Sequence, residues 1–251
     1  MRKINLEKVT EITNVDVWLK VAPPQKGLAQ WKDGYSAKEL AKFVIEHPND
    51  FSKMIEDVLE KTIGKVPGSF TGEPEAETKL PSRGKGRNHD LLLYSEKLVI
   101  GIEAKVDEPF GNNRSILQES NKASKGKKAR IDWLLRTILP NGRGLQDREV
   151  GNLKYQLFTA TAGTLLEAAK RDLEECIFLV LAFHPKGDPV NQANKKSFED
   201  FVRVVCGENK DDRQKFTVEY KDGKKEIKKK EIKCWFIEKD ITVTHQAYNI
   251  D

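Results

Sequence analysis

Clusters of cysteine and histidine are missing from this sequence. Cys176, Cys206 and Cys234 are widely spaced, only four histidines are present, and no Cys-x-x-Cys or His/Cys group has zinc-ligand spacing. An odd number of separated cysteines argues against a disulfide framework. Cys176 begins an apolar run and Cys234 abuts Trp235, so both read as reduced, packed thiols. No apolar stretch is long enough to cross a membrane, and the start Met1-Arg2-Lys3-Ile4-Asn5-Leu6 has no signal-peptide core. Cytoplasmic residence without membrane partners is the expectation. Also absent are a P-loop, a Rossmann glycine set, a Ser/His/Asp nucleophile motif and any internal repeat. Charge of one sign does not dominate either. The 44 Lys and Arg against 39 Asp and Glu leave a net charge of +5, milder than in a dedicated DNA-binding module. Nucleic acid is compatible with that balance but not required by it.

The sequence does contain material for a core, with 38% hydrophobic residues in 251, enough for one large domain or two small ones. Its most informative run is Leu98-Val-Ile-Gly-Ile-Glu-Ala-Lys105, preceded by Asp90-Leu-Leu-Leu-Tyr-Ser95. Strand side chains alternate, so Val99, Gly101, Glu103 and Lys105 share one face. A two-residue turn at Ser95-Glu96 sets Asp90 opposite Gly101, with Glu103 as its diagonal neighbour about 7–8 Å away. A four-residue turn sets Asp90 directly opposite Glu103, and a three-residue turn throws it onto the wrong face. Gly101 is expected to leave open space for a metal or phosphate. Two carboxylates on one face repel unless a cation lies between them. Mg²⁺ suits such a pair, since it takes one or two carboxylates with waters and phosphate oxygens. Lys105 would then orient or deprotonate a water, or hold a phosphate oxygen. The plainer reading is a Glu103–Lys105 salt bridge on a wet sheet edge.

Asp90 followed by Glu103-Ala104-Lys105 resembles the motif of the PD-(D/E)xK nuclease superfamily, with His89 standing where the namesake motif has proline. The wider strings Gly86-Arg-Asn-His-Asp-Leu-Leu-Leu and Ile102-Glu-Ala-Lys-Val-Asp-Glu-Pro-Phe-Gly111 are similar to an uncharacterised bacterial branch of it. The resemblance implies an α/β fold of the restriction-endonuclease-like type, a mixed central sheet flanked by helices. It assigns Asp90 and Glu103 to a divalent metal, Mg²⁺ with Mn²⁺ as substitute, and a catalytic role to Lys105. A polar residue on the following helix often contacts such a site, which singles out Gln156. The implied activity is metal-dependent phosphodiester hydrolysis by a deoxyribonuclease of defence or DNA repair, with nucleic acid, DNA first, as partner. An RNA substrate and a homodimer stay open. The alternative is a catalytically inactive binding or scaffold protein that keeps the fold.

The expected organisation is one nuclease-like domain over residues 1–251, with an N-terminal helical arm (1–62) and a C-terminal β-hairpin extension (about 212–240). Ser36 and Asp50 are read as caps of two helices, the second with Phe51, Met54, Ile55, Val58 and Leu59 on one face. Glu56 and Glu60 on that helix are candidates for an assisting acid, or solvated charges. A short strand is expected near Ser69–Thr71. Arg83-Gly-Lys-Gly-Arg87 is either a phosphate-contacting loop or a mobile one. Asp107 is a further ligand or a turn charge. Residues 112–130, with Arg114, Lys122, Lys125, Lys127, Lys128 and Arg130, form either a DNA-contacting loop or a solvated linker. A short helix follows, from Ile131 to Ile138. Residues 152–170 read as a buried helix and Cys176–Phe183 as a strand covered on both faces, giving a parallel crossover from the Glu-x-Lys strand. His184 ends that strand. A helix over 198–206 and a hairpin about Asp222-Gly223 close the pattern, the lysines near its turn either protecting an edge or contacting nucleic acid.

Overall fold

The computed structural model describes residues 4–6, 12–24, 27–64, 68–81, 85–139, 142–185, 191–207, 213–221 and 226–243. A seven-stranded mixed sheet runs through it in the order β1-β2-β3-β4-β5-β7-β6. The strands are β1 (Ile4–Leu6), β2 (Phe70–Thr78), β3 (Arg87–Tyr94), β4 (Val99–Lys105), β5 (Glu175–Pro185), β6 (Arg213–Lys221) and β7 (Ile227–Val243). Helices α1 (Val15–Val21), α2 (Ser36–Glu46) and α3 (Pro48–Thr62) precede β2. Helices α4 (Ile116–Asn121), α5 (Lys125–Ile138), α6 (Arg148–Asn152) and α7 (Tyr155–Lys170) lie between β4 and β5, and α8 (Gln192–Cys206) follows β5. The expected α/β class with a mixed sheet flanked by helices is what the chain adopts.

Two apolar layers sandwich the sheet. Trp18, Leu40, Phe51, Ile55 and Leu59 from α1–α3 pack on Leu91, Leu93, Ile100, Ile102, Leu179 and Leu181. On the other face Leu134, Phe158, Leu165 and Phe201 from α5, α7 and α8 pack on Leu92, Val99, Phe178, Val180 and Phe236. Strand β5 gives alternate residues to both layers, which is why it reads as one unbroken apolar run. It pairs parallel with β4 on one side and with β7 on the other. The C-terminal hairpin is therefore built into the sheet, with β7 inside and β6 at the edge. Lys228, Lys229 and Lys230 sit where β7 runs past the start of β5 and pairs with β6 alone, a place where charge discourages further strand addition. The turn residues Asp222 and Gly223, with Lys224 and Lys225, lie outside the described residues.

Several elements differ from the sequence reading. Helix α2 starts at Ser36 after Tyr35, and Ser36 is not its cap. Helix α3 starts at Pro48, whose fixed φ and missing N–H suit a first turn, so Asp50 is inside it. Strand β2 is nine residues rather than three. It carries Pro74 because β1 pairs only with Phe70–Gly72 and leaves the edge beyond open. The basic segment 112–130 is neither loop nor linker but two capped helices. Ser115 and Gln118 form a reciprocal capping box for α4, and the Ser124 hydroxyl accepts the Lys127 N–H at 3.4 Å to start α5.

Candidate active site

The β3–β4 register pairs Tyr94 with Val99 and Leu91 with Ile102. Ser95–Leu98 is thus a four-residue connection, closed by the Ser95 N–H donating to the Leu98 carbonyl at 2.9 Å. That is the register that brings Asp90 level with Glu103. The ladder stops at Leu91–Ile102, and the Asp90 carboxylate replaces its next bond, Oδ2 accepting the Ala104 N–H at 2.7 Å.

Alternation breaks at the same level. Leu91 and Leu93 face α1–α3, so strict alternation would send His89 and Arg87 there too. Both lie instead on the α7 face, where a Cβ on Gly163 would come within 2.7 Å of His89 Nε2 and 3.4 Å of Arg87 Cγ. Strand β2 reverses in step. Phe70 faces α1–α3, whereas Ala76 packs in the α7 layer and Thr78 Oγ1 donates to Glu167 of α7. Between the Pro74–Leu91 and Ala76–His89 pairs sits Glu75, whose φ of 49° is left-handed and costs a non-glycine residue roughly 1–2 kcal/mol. This paired reversal adds a residue that the sequence reading placed only in a loop: the Arg87 guanidinium donates through Nη2 to Glu103 Oε2.

Glu103 is the hub. It is 1% exposed, at the end of a strand whose other residues are all buried. Lys105 Nζ lies 2.8 Å from Oε1, and the Gln156 amide donates to the same oxygen at 2.5 Å. The other end of Gln156 accepts the Gly111 N–H at 2.5 Å, so one side chain ties the first turn of α7 to both β4 and the turn after it. That turn, Gly111–Asn113, has φ of 57°, 55° and 63°, which glycine and asparagine adopt most readily. Lys105 Nζ also stands 5.4 Å from the Phe110 ring centroid. Glu103, Lys105 and Gln156 are therefore brought together as the sequence predicts. Asp90 makes no direct ion pair among the described residues, yet its charge acts on both Lys105 and Arg87.

Burial dominates the electrostatics. Desolvation pushes the Lys105 ammonium below its ordinary pKa, against Asp90 and Glu108, which hold the proton on. Arg87 is shifted down by the same cause, opposed by Asp90 and Glu75. His89, 1% exposed, is held neutral, its pKa lowered to about 3 by burial and by the Arg87 charge. Among the described residues neither of its ring nitrogens has a hydrogen-bond partner, nor do Thr161 Oγ1 and Arg87 Nε.

Other expectations are corrected here. Gly101 does not leave open space. A Cβ there would run into Thr164 Oγ1 and stand 3.2 Å from His89 Nδ1, so the glycine lets α7 lie close on the sheet. Glu56 and Glu60 are carried by α3, the layer on the opposite face from Glu103. Asp107 is an exposed bend residue whose carbonyl accepts from Asn191. Arg83 falls outside the described residues. Of the basic segment, Arg114 and Lys127 pair with the buried Glu119, while Lys122, Lys125 and Lys128 are exposed without ion-pair partners among the described residues. Lys127 Nζ lies 5.1 Å from the ring centroid of Tyr155, next to Gln156, so this basic edge adjoins the hub.

The donors can be tested against a hard divalent cation. Among the described residues no three His, Cys, Asp or Glu side chains gather as a metal-binding group. Asp90 and Glu103 are what the site has, and Asp90 Oδ1 accepts no hydrogen bond among the described residues. Two carboxylates with water match the protein share of a Mg²⁺ shell. The donor set fits, with Arg87 standing on one of its oxygens. Among the described residues, no helix is long and apolar enough to cross a membrane.

Residues 11–240 match the family described as a domain of unknown function (DUF6946), and the chain belongs to that family. Comparison with curated proteins and with solved structures gives no match.

Proposed function

We propose that this member of the family is a metal-dependent phosphodiester hydrolase of the restriction-endonuclease-like type, a deoxyribonuclease of defence or DNA repair. One observation carries the reading: Glu103, Lys105 and Gln156 meet at a single buried carboxylate, with Asp90 brought level by the hairpin register. Asp90 and Glu103 hold the divalent cation. When bound, the cation neutralises phosphate charge and lowers the pKa of a water. Lys105 positions the attacking water at Nζ and takes its proton as the neutral amine, a form that the burial-lowered pKa brings within reach. Gln156 fixes the Glu103 carboxylate through the amide that Gly111 anchors. The exposed Lys122, Lys125 and Lys128 supply contacts to the nucleic-acid backbone.

The test is the Lys105→Ala protein, checked for fold by circular dichroism and assayed on duplex DNA and matched RNA with Mg²⁺. Cleavage is expected to disappear. Equal cleavage by variant and wild type would remove Lys105 from the chemistry. A second reading, a non-catalytic binding or scaffold protein, draws on the closed network itself, since Arg87, Lys105 and Gln156 already satisfy both oxygens of Glu103. Thermal stabilisation by Mn²⁺ that vanishes in Asp90→Asn separates the two, because only a metal site links ion and stability.

A further inference from the structure

Arg87 stands on the carboxylate that metal-dependent hydrolysis needs open. Its guanidinium covers Oε2 of Glu103, while Lys105 and Gln156 share Oε1. Three of the carboxylate's roughly four lone-pair sites are thus taken, and the one left, on Oε2, lies beside the Arg87 guanidinium. Gln156 is held at its far end by Gly111, and Lys105 belongs to the buried end of β4. Arg87 is the least satisfied of the three. Its Nε is buried without a hydrogen-bond partner among the described residues, which is costly for a buried donor, and burial opposes its charge. The side chain still reaches the surface, at 12% exposure against 1% for Glu103.

Charge balance points the same way. At the carboxylate itself Glu103 meets two cations, Arg87 and Lys105, with Asp90, Glu75 and Glu108 acting on them through space. A divalent ion on Glu103 would stand directly against the Arg87 guanidinium, a like-charge contact that low local dielectric makes costly. Removing Arg87 from the carboxylate relieves it. We propose that Arg87 is a resident counter-cation of Glu103, and that a divalent cation binds by displacing it. Resting on the assignment of Asp90 and Glu103 as the metal pair, the inference adds that Arg87 sets the metal affinity by competition. Arg87 and Lys105 together explain how two carboxylates coexist in this buried place.

The experiment is Mn²⁺ binding to the full chain by calorimetry, comparing wild type, Arg87→Met, Arg87→Gln and Asp90→Asn. Arg87→Gln keeps a donor for Glu103 and serves where Arg87→Met fails to fold. The neutral Arg87 variants are expected to bind Mn²⁺ about tenfold or more tightly than wild type, the scale on which one neighbouring charge moves an ionic equilibrium. Structural damage alone would weaken binding, so a gain is specific. If wild type binds Mn²⁺, Asp90→Asn abolishes it, and the Arg87 variants bind equally or more weakly, the competition is wrong while the metal pair stands. If no variant binds Mn²⁺, the metal pair fails and takes the competition with it.

Discussion

Replacing Gly101 by alanine tests how closely α7 must lie on the sheet. An ideal Cβ at this position collides with Thr164 Oγ1, stands 3.1 Å from Thr164 Cβ and 3.2 Å from His89 Nδ1. None of these atoms is the free end of a flexible chain. Thr164 is fully buried, its hydroxyl donates to the Ala160 carbonyl at 3.0 Å, and His89 is wedged against Gly163. Overpacking of this kind costs roughly 1–3 kcal/mol, and alanine recovers about 0.5–1 kcal/mol of strand entropy that glycine forgoes. The net loss is about 1–2 kcal/mol, or a fall in Tm of about 2–8 °C for a chain of this size. Urea unfolding of Gly101→Ala, Thr164→Ala and the double variant measures it. Thr164→Ala removes the colliding oxygen, so the double variant is expected to regain most of the loss, with a coupling of about 1 kcal/mol. A Gly101→Ala protein as stable as wild type, or a double variant no better than the single, would refute the packing argument.

Two further outcomes concern charge. Glu103→Gln leaves Arg87 and Lys105 buried without their shared anion, and the expected destabilisation is about 3–5 kcal/mol by urea unfolding; a loss below 1 kcal/mol would mean that the network is wet. His89 gives a pH signature. Its folded pKa of about 3 lies below the ordinary value of 6.5, so its contribution is complete above pH 6.5 and is lost as pH falls towards 3. Between pH 6.5 and 5 that loss amounts to about 2 kcal/mol. His89→Leu should flatten the urea midpoint over this interval, and parallel profiles for variant and wild type would show that the imidazole does not titrate with unfolding.

How much was legible varies by element. The buried run Cys176–Phe183 announces β5, because a strand covered on both faces has no polar side to show. Residues 152–170 announce α7, with its apolar and small residues around most of the circumference. Helix α4 and the start of α5, before the expected Ile131–Ile138, do not show in the sequence pattern although their caps are in plain view. The density of lysine masked Ser115-Ile-Leu-Gln118 and Ser124, whose side chains hold the first turns. Of β2 only the stretch near Ser69–Thr71 is expected from the sequence, since glycine and proline argue against a strand, yet an open edge accepts Pro74.

The sequence by itself determined that Glu103 and Lys105 share a face at the end of β4, because strands alternate. Gln156, on the first turn of the helix before β5, is singled out by the resemblance to the nuclease motif. Only the tertiary structure decided the register, the reversal at Glu75 and Asp90, and the contact between Gly101 and Thr164. Alternation is a local rule and, applied along β3, would send Arg87 to the wrong side. Two paired strands turn over together only when the layers above and below hold them, and no pattern along one strand encodes that. The partner of Glu103 is thus a product of packing across the sheet.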